Sequence, residues 1–150
     1  MRKTFVMRGQ TTSFKAGGGF EVLNFSGFKP GYSFKLIEFK VWPSGGTNAN
    51  DELDGIITAS KTVADPAAPN FSDLGTIGVA CWENSSSEQY GPNQASLVDD
   101  TFLITQDLLL SANDYQGDSP INYFCRFKSV KMTNAEEAVT NYKQFAISDE

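Results

Sequence analysis

Apolar side chains recur at every second position along most of this chain, and the segments that carry them are separated by clusters of Gly, Pro, Asn and Asp. Successive side chains of an extended strand point to opposite faces, so a period of two marks strands half buried in a sheet; a helix would need apolar residues at three- and four-residue spacing. Helical spacing is nearly absent. Strands are expected over residues 4–8, 20–25, 32–42, 56–60, 75–82, 97–105, 108–112, 121–132 and 139–147. Thr133-Asn134-Ala135-Glu136 has the spacing of a capping box, which predicts one helical turn over 133–138. About nine strands with no internal repeat point away from propellers and solenoids and toward an all-β, two-sheet antiparallel sandwich, most simply a single jelly roll.

Two segments break the alternation. Tyr32, Phe34 and Leu36 share one face, after which Ile37, Phe39 and Val41 occupy the other. A β-bulge or sharp bend near Leu36-Ile37 produces such a switch, because one extra residue restores the apolar set to the same side. The alternative is a central strand buried on both faces, with Lys35, Glu38 and Lys40 reaching an edge. The pattern recurs where Ile121, Tyr123, Cys125 and Phe127 give way to Val130 and Met132, so a bulge or bend is expected in both strands. Loops are expected at 43–54, around Asp65-Pro66 to Pro69-Asn70, at 83–96 and at 113–120, with Gly17-Gly18-Gly19 marking a mobile loop or insertion.

The chain has 150 residues, the usual size of one domain, so residues 1–150 are expected to share one core, to which 12 Phe side chains can contribute. A net charge of −6 opposes the sequence-independent attraction to phosphates, which disfavours direct nucleic-acid contact. Arg2-Lys3 with Arg8 is too sparse for a packaging arm. No apolar run suits a signal peptide or a transmembrane helix, so a product made in a cytoplasm, with no membrane partner, is expected.

The absence of His removes the commonest acid-base side chain near neutral pH and the commonest metal ligand. Cys81 and Cys125 lie far apart in alternating segments and match no redox or zinc spacing. Buried, reduced thiols are the expectation, with a cross-strand disulfide the alternative. Acidic groups at Asp51-Glu52 with Asp54, at Asp99-Asp100, and at Asp114 with Asp118 read as solvated turn carboxylates; the first could seat calcium but lacks the EF-hand pattern. The three glycines precede a strand and not a helix, which does not suit a phosphate loop. Trp42, Trp82, Tyr90 and Tyr115 fall at strand ends or in loops, where aromatic faces either pack against a core or interface or stack on sugars. No residue is assigned a catalytic, cofactor-binding or metal-binding role, and no cofactor is expected.

Three stretches carry a resemblance: Met1-Arg2-Lys3-Thr4-Phe5-Val6-Met7-Arg8-Gly9-Gln10-Thr11-Thr12-Ser13, residues 21–32 (EVLNFSGFKPGY), and the ending from Ser119-Pro120-Ile121-Asn122-Tyr123 through Val139-Thr140-Asn141-Tyr142-Lys143-Gln144-Phe145. In these the chain resembles the small structural proteins of marine phages. The resemblance implies a virion subunit with a jelly-roll fold and carries no site residues with it. The function expected is therefore non-enzymatic: a capsid, vertex or capsid-decorating subunit acting by homo-oligomeric assembly or by contact with other shell proteins. The alternative is a carbohydrate- or receptor-binding module on a phage surface.

Overall fold

The computed structural model describes residues 4–25, 31–45, 51–84, 93–117 and 119–132. Among these residues eight strands follow one another: β1 (Thr4–Thr11), β2 (Glu21–Leu23), β3 (Tyr32–Pro43), β4 (Asp51–Thr58), β5 (Thr76–Asn84), β6 (Asn93–Val98), β7 (Leu108–Asp114) and β8 (Ile121–Lys131). They form two antiparallel sheets, in the orders β1-β8-β3 and β2-β7-β4-β5-β6. A single 3-10 turn at Phe14–Ala16 is the only helical element among the described residues. The expected helical turn over 133–138 and strand over 139–147 lie outside the described residues.

The face switch in β3 is a bulge. Leu36 opposes Phe127 and Glu38 opposes Arg126, so Ile37 is an extra residue with no partner of its own. Before it Phe34 and Leu36 face inward; after it Phe39 and Val41 do, and all four are buried. β8 corrects the second expectation. Its ladder with β1 runs without a shift from Thr4↔Lys128 to Thr11↔Ile121, and the irregularity against β3 is taken up by β3. The apparent switch arises because Met132 lies past the strand end, where its N–H donates to Gly31 O (2.9 Å) and the chain leaves the ladder.

The inward faces of both sheets share one cluster, in which Leu36, Phe39 and Phe127 of the three-stranded sheet meet Leu53, Ile57 and Leu110 of the other. Two glycines make this fit. A Cβ on Gly55 would lie 2.8 Å from both Phe39 Cζ and Val41 Cγ1, and one on Gly78 would lie 2.7 Å from Leu36 Cδ2. The side chains on either side of the bulge thus project into hollows left where β4 and β5 have no side chain. One end of the core is closed by aromatic rings: Phe25, in the chain leaving β2, lies 4.9 Å from Phe127 and 5.1 Å from Phe34, and Phe5 stacks on Phe127 at 5.6 Å. Asp107 fixes this segment by accepting the Phe25 N–H at 2.6 Å.

Several boundaries differ from the sequence expectation, each for a local reason. The loop expected over 43–54 ends early, because Asp51 and Glu52 begin β4 and pair with Asn84 and Glu83 of β5; only Glu52 points its carboxylate off the core. The strand expected over 97–105 stops at Val98: Asp99 Oδ1 accepts from Thr101 N (3.0 Å) and Oγ1 (2.6 Å), turning the chain toward the other sheet. There Ile104 forms a reciprocal bridge with Phe34, at 2.9 and 2.7 Å. Asn113 and Asp114 belong to β7 and are buried, not part of a polar turn. Asn113 Oδ1 accepts from Lys15 N (3.0 Å) while Ser13 Oγ accepts from Asp114 N (3.1 Å), which docks the 3-10 turn on the end of β7. The glycine triplet makes the turn out of it: Gly17 and Gly18 hold φ of +126° and +74°, which side chains resist, and Gly18 N donates to Phe14 O at 2.6 Å.

The inter-sheet hollow supports a direct expectation. Gly55→Val forces a branched side chain against Phe39 and Val41, and chemical denaturation should find it about 1–3 kcal/mol less stable. Gly45→Val, where a Cβ meets nothing within 4 Å, should stay within about 0.5 kcal/mol of the parent.

Candidate functional site

The outward faces of the two sheets carry the chemistry. Residues directly opposite in an antiparallel ladder share a face, so the register lays out the outer surface of β1-β8-β3 in rows. Gln10, Asn122 and Trp42 form one, Arg8, Phe124 and Lys40 the next, Val6, Arg126 and Glu38 a third, and Thr4, Lys128 and Lys35 a fourth. Trp42 is half exposed there, at 50%, because its neighbour Val41 takes the inward position. The first two rows, with Gln94 from β6, line an open groove of about 620 Å³. Gln94 Nε2 donates to Val41 O at 3.3 Å, closing the groove on the β3 side. An exposed indole ring among amide side chains is suited to stacking against an apolar or sugar face while the amides hydrogen-bond its rim.

The third row is organised by Glu38, which pairs with Lys40 at 3.1 Å and with Arg126 Nε at 3.2 Å. These two cations, Lys40 foremost, hold its carboxyl below the ordinary range. Arg126 also places its guanidinium 5.5 Å from the Phe124 ring centre, a cation-π distance.

The other sheet is the electrostatic opposite. Its strands carry Glu21, Asp51, Glu52, Asp54, Glu83 and Asp114 and no Lys or Arg, whereas β1, β3 and β8 carry Arg8, Lys35, Lys40, Arg126, Lys128 and Lys131 against Glu38. On the outward face Glu52 sits directly opposite Glu83, and Asp54 opposite Cys81 and Asn113. Burial, and then the neighbouring Glu52 carboxylate, push the Asp54 carboxyl up to about 7, and the Tyr115 hydroxyl beside it is raised to about 12, chiefly by burial and then by Asp54. Asp51 faces inward at the end of the sheet with Asp114, and is pushed up to about 6 by burial and by that second carboxylate. Both accept the Gln116 N–H, at 3.2 Å for Asp51 and 3.0 Å for Asp114.

No protein-family model and no curated protein matches the chain.

The residues singled out from sequence therefore separate. Trp42 lies in the groove, but Trp82 is inward and buried, meeting Trp42 edge-on at 5.9 Å. Tyr115 stands at the acidic face, and Tyr90 and Asp118 lie outside the described residues. Asp51 points inward while Glu52 and Asp54 stand on or toward the outer face, and among the described residues no three acidic or thiol groups are arranged to hold a metal ion. Asp99 is used locally, in its turn with Thr101. Cys125 is buried and Cys81 only partly so; both are free thiols. They belong to different sheets, with Cys125 facing the shared core and Cys81 the acidic outer surface, which corrects the expectation that both are buried. The polarity between the sheets was missed in the sequence, although its signal was present: sorting charges by strand, once strands are assigned, separates the two signs.

Two measurements follow from these environments. The folded Asp54 and Asp51 carboxyls titrate near 7 and 6 against an ordinary value of 3.8, so the native state binds protons that the unfolded chain releases. Their contribution is fully present below about pH 4 and is lost as pH rises toward 7. Thermal melts from pH 4 to 8 should fall less steeply for Asp54→Asn than for the parent, and an unchanged slope would exclude Asp54 as a source. Burial, followed by the Asp54 charge, raises the Cys81 thiol, and burial raises Cys125 further. A chromogenic disulfide reagent should therefore modify one thiol slowly in the native protein and the second only in denaturant.

Proposed function

We propose that this protein is a structural subunit of a phage particle, non-enzymatic, that acts by assembling with copies of itself or with other shell proteins. The observation that carries the reading is the apolar patch at one end of the β5-β6 hairpin. Leu74 is 75% exposed, Leu97 64% and Phe71 59%, and together they rim a shallow hollow of about 210 Å³ floored by Ile77 and Val98. Large apolar side chains gathered in this way, as opposed to scattered singly, mark a surface that a partner covers.

The resemblance of the two end regions and residues 21–32 to phage structural proteins supports the same reading, and so does the strand pairing. In a jelly roll the first strand pairs with the eighth, the second with the seventh, the third with the sixth and the fourth with the fifth, in a two-sheet sandwich. β1-β8, β2-β7 and β4-β5 are such pairs. β6 hydrogen-bonds to β5 and reaches β3 through the Gln94 side chain. We take the finer fold to be a jelly roll whose sixth strand leans onto the fifth.

A second reading rests on the Trp42 groove: a carbohydrate- or receptor-binding surface, with the indole as platform and Gln10, Gln94 and Asn122 as hydrogen-bonding partners. The two readings separate by experiment. Under the first, light scattering over a hundredfold concentration range should show association, and the melting temperature should fall on dilution. Leu74→Ser with Leu97→Ser should suppress the association while leaving the circular dichroism spectrum unchanged. A glycan array signal lost in Trp42→Ala, from a protein that remains monomeric, favours the second.

A further inference from the structure

Both outer faces carry like charges set directly opposite one another. Lys35 faces Lys128 across β3 and β8, and Glu52 faces Glu83 across β4 and β5. Like charges in directly opposed positions cost stability, and no ion pair among the described residues reaches any of these four. Lys15, at the rim of the acidic face, spends its ammonium on Tyr115 O at 2.9 Å. A bound divalent cation could relieve the acidic pair, but no suitable ligand group exists among the described residues. Nothing of that kind could relieve the basic pair.

We propose that the basic outer face of β1-β8-β3 docks on the acidic outer face of β4 and β5 of a second copy of this chain. Each face supplies what the other lacks. Lys35, Lys128 and Arg8 bring charge without counter-ions among the described residues, while Glu52 and Glu83 accept it; Asp54 and Tyr115 supply hydrogen-bonding groups beside them. The inward faces of the two sheets share one core, so the outer faces point away from each other. A contact between unlike faces is heterologous: each copy keeps one face free, and the assembly grows as a ring or an open array instead of stopping at a dimer. This inference rests on the assembly reading above and adds to the Leu74-Leu97 patch a second contact surface between copies. Nucleic acid is the other occupant a basic sheet face could take. The chain's net charge of −6 opposes it, and it would leave the Glu52-Glu83 pair unrelieved.

The test is a charge swap on the full chain. Lys35→Glu with Lys128→Glu replaces the opposed lysines with carboxylates, and Glu52→Lys with Glu83→Lys replaces the opposed glutamates with ammonium groups, so each variant brings like charges together where the two rows meet. Like-charge juxtaposition should weaken self-association of each by at least about tenfold, whereas an equimolar mixture should recover it, read by light scattering at 50 mM salt with folding checked by circular dichroism. Should either double variant fail to fold, parent association must still fall as salt rises from 50 to 500 mM. If the parent associates but both variants do so equally well, or if their mixture stays silent, the charged-face contact is wrong and assembly through another surface stands. If the parent is monomeric throughout, the charged-face contact is wrong and the self-assembly half of the reading above fails with it, leaving only contact with other shell proteins. Tight binding of a fluorescent single-stranded oligonucleotide, lost in the Lys35/Lys128 variant while self-association is unchanged, would overturn the proposal in favour of nucleic acid.

Discussion

A single unpaired residue, Ile37, sets the relation between the two sheets. The side-chain period of a strand is two, so without the extra residue either Leu36 or Phe39 would face solvent. With it, both point inward along a strand long enough to cross the whole core. Their projection is possible because the facing strands carry glycine where those side chains arrive, at Gly55 and Gly78. Bulge and glycines are therefore one device: the bulge supplies the protrusions and the glycines the hollows. Interiors tolerate little misfit, since packing is as dense as in organic crystals. Each part of the device is expected to fix the identity of the other.

The same registers that build the core distribute the charge. Alternation sends Arg8, Lys40 and Arg126 outward from one sheet and Glu52, Asp54 and Glu83 outward from the other. A protein with a modest negative total thus presents two strongly unlike surfaces. Net charge alone understates what such a molecule attracts, because a partner meets one face at a time and exposed charges more than about 10 Å apart are screened at moderate salt. The groove with Trp42 lies within the basic face, so any ligand that stacks on the indole also meets Arg8 and Lys40.

The sheet-forming character of the chain was legible in its alternation, and so was the bulge in β3, because a parity change in a run of large apolar residues has few physical explanations. Less legible was what depends on distant partners. The strand start at Asp51 is disguised by acidic residues that pair across β4 and β5, and the break after Val98 depends on an Asp99-Thr101 turn within a run that alternates well. Ile56 looks like a core residue and is buried, yet its side chain lies on the outer face. Its neighbour there, Ser111, donates from Oγ to Ala64 O at 2.7 Å in the proline-bounded connection, so a loop covers that part of the sheet. The position of Cys81 was misread for a similar reason: an apolar-looking residue in an alternating strand does not say which face is covered. Trp42 and Trp82, equal by sequence, part company because one falls on an odd and the other on an even step from the core.

Pairing the first strand with the eighth also governs how the chain reaches its fold. β8 is the middle strand of β1-β8-β3, so that sheet has no hydrogen-bonded ladder until residues 121–131 are available. β4, β5 and β6 are joined in sequence order and can pair as soon as they are made. During synthesis the segments of β1 and β3 must therefore wait beside a partly built neighbour, exposing strand edges and the apolar faces of Phe5, Phe34 and Phe39. Long-range strand pairing of this type folds slowly and passes through aggregation-prone species. Arg8 of β1 and Lys35 and Lys40 of β3 place charge on those strands and keep such edges apart in the interval.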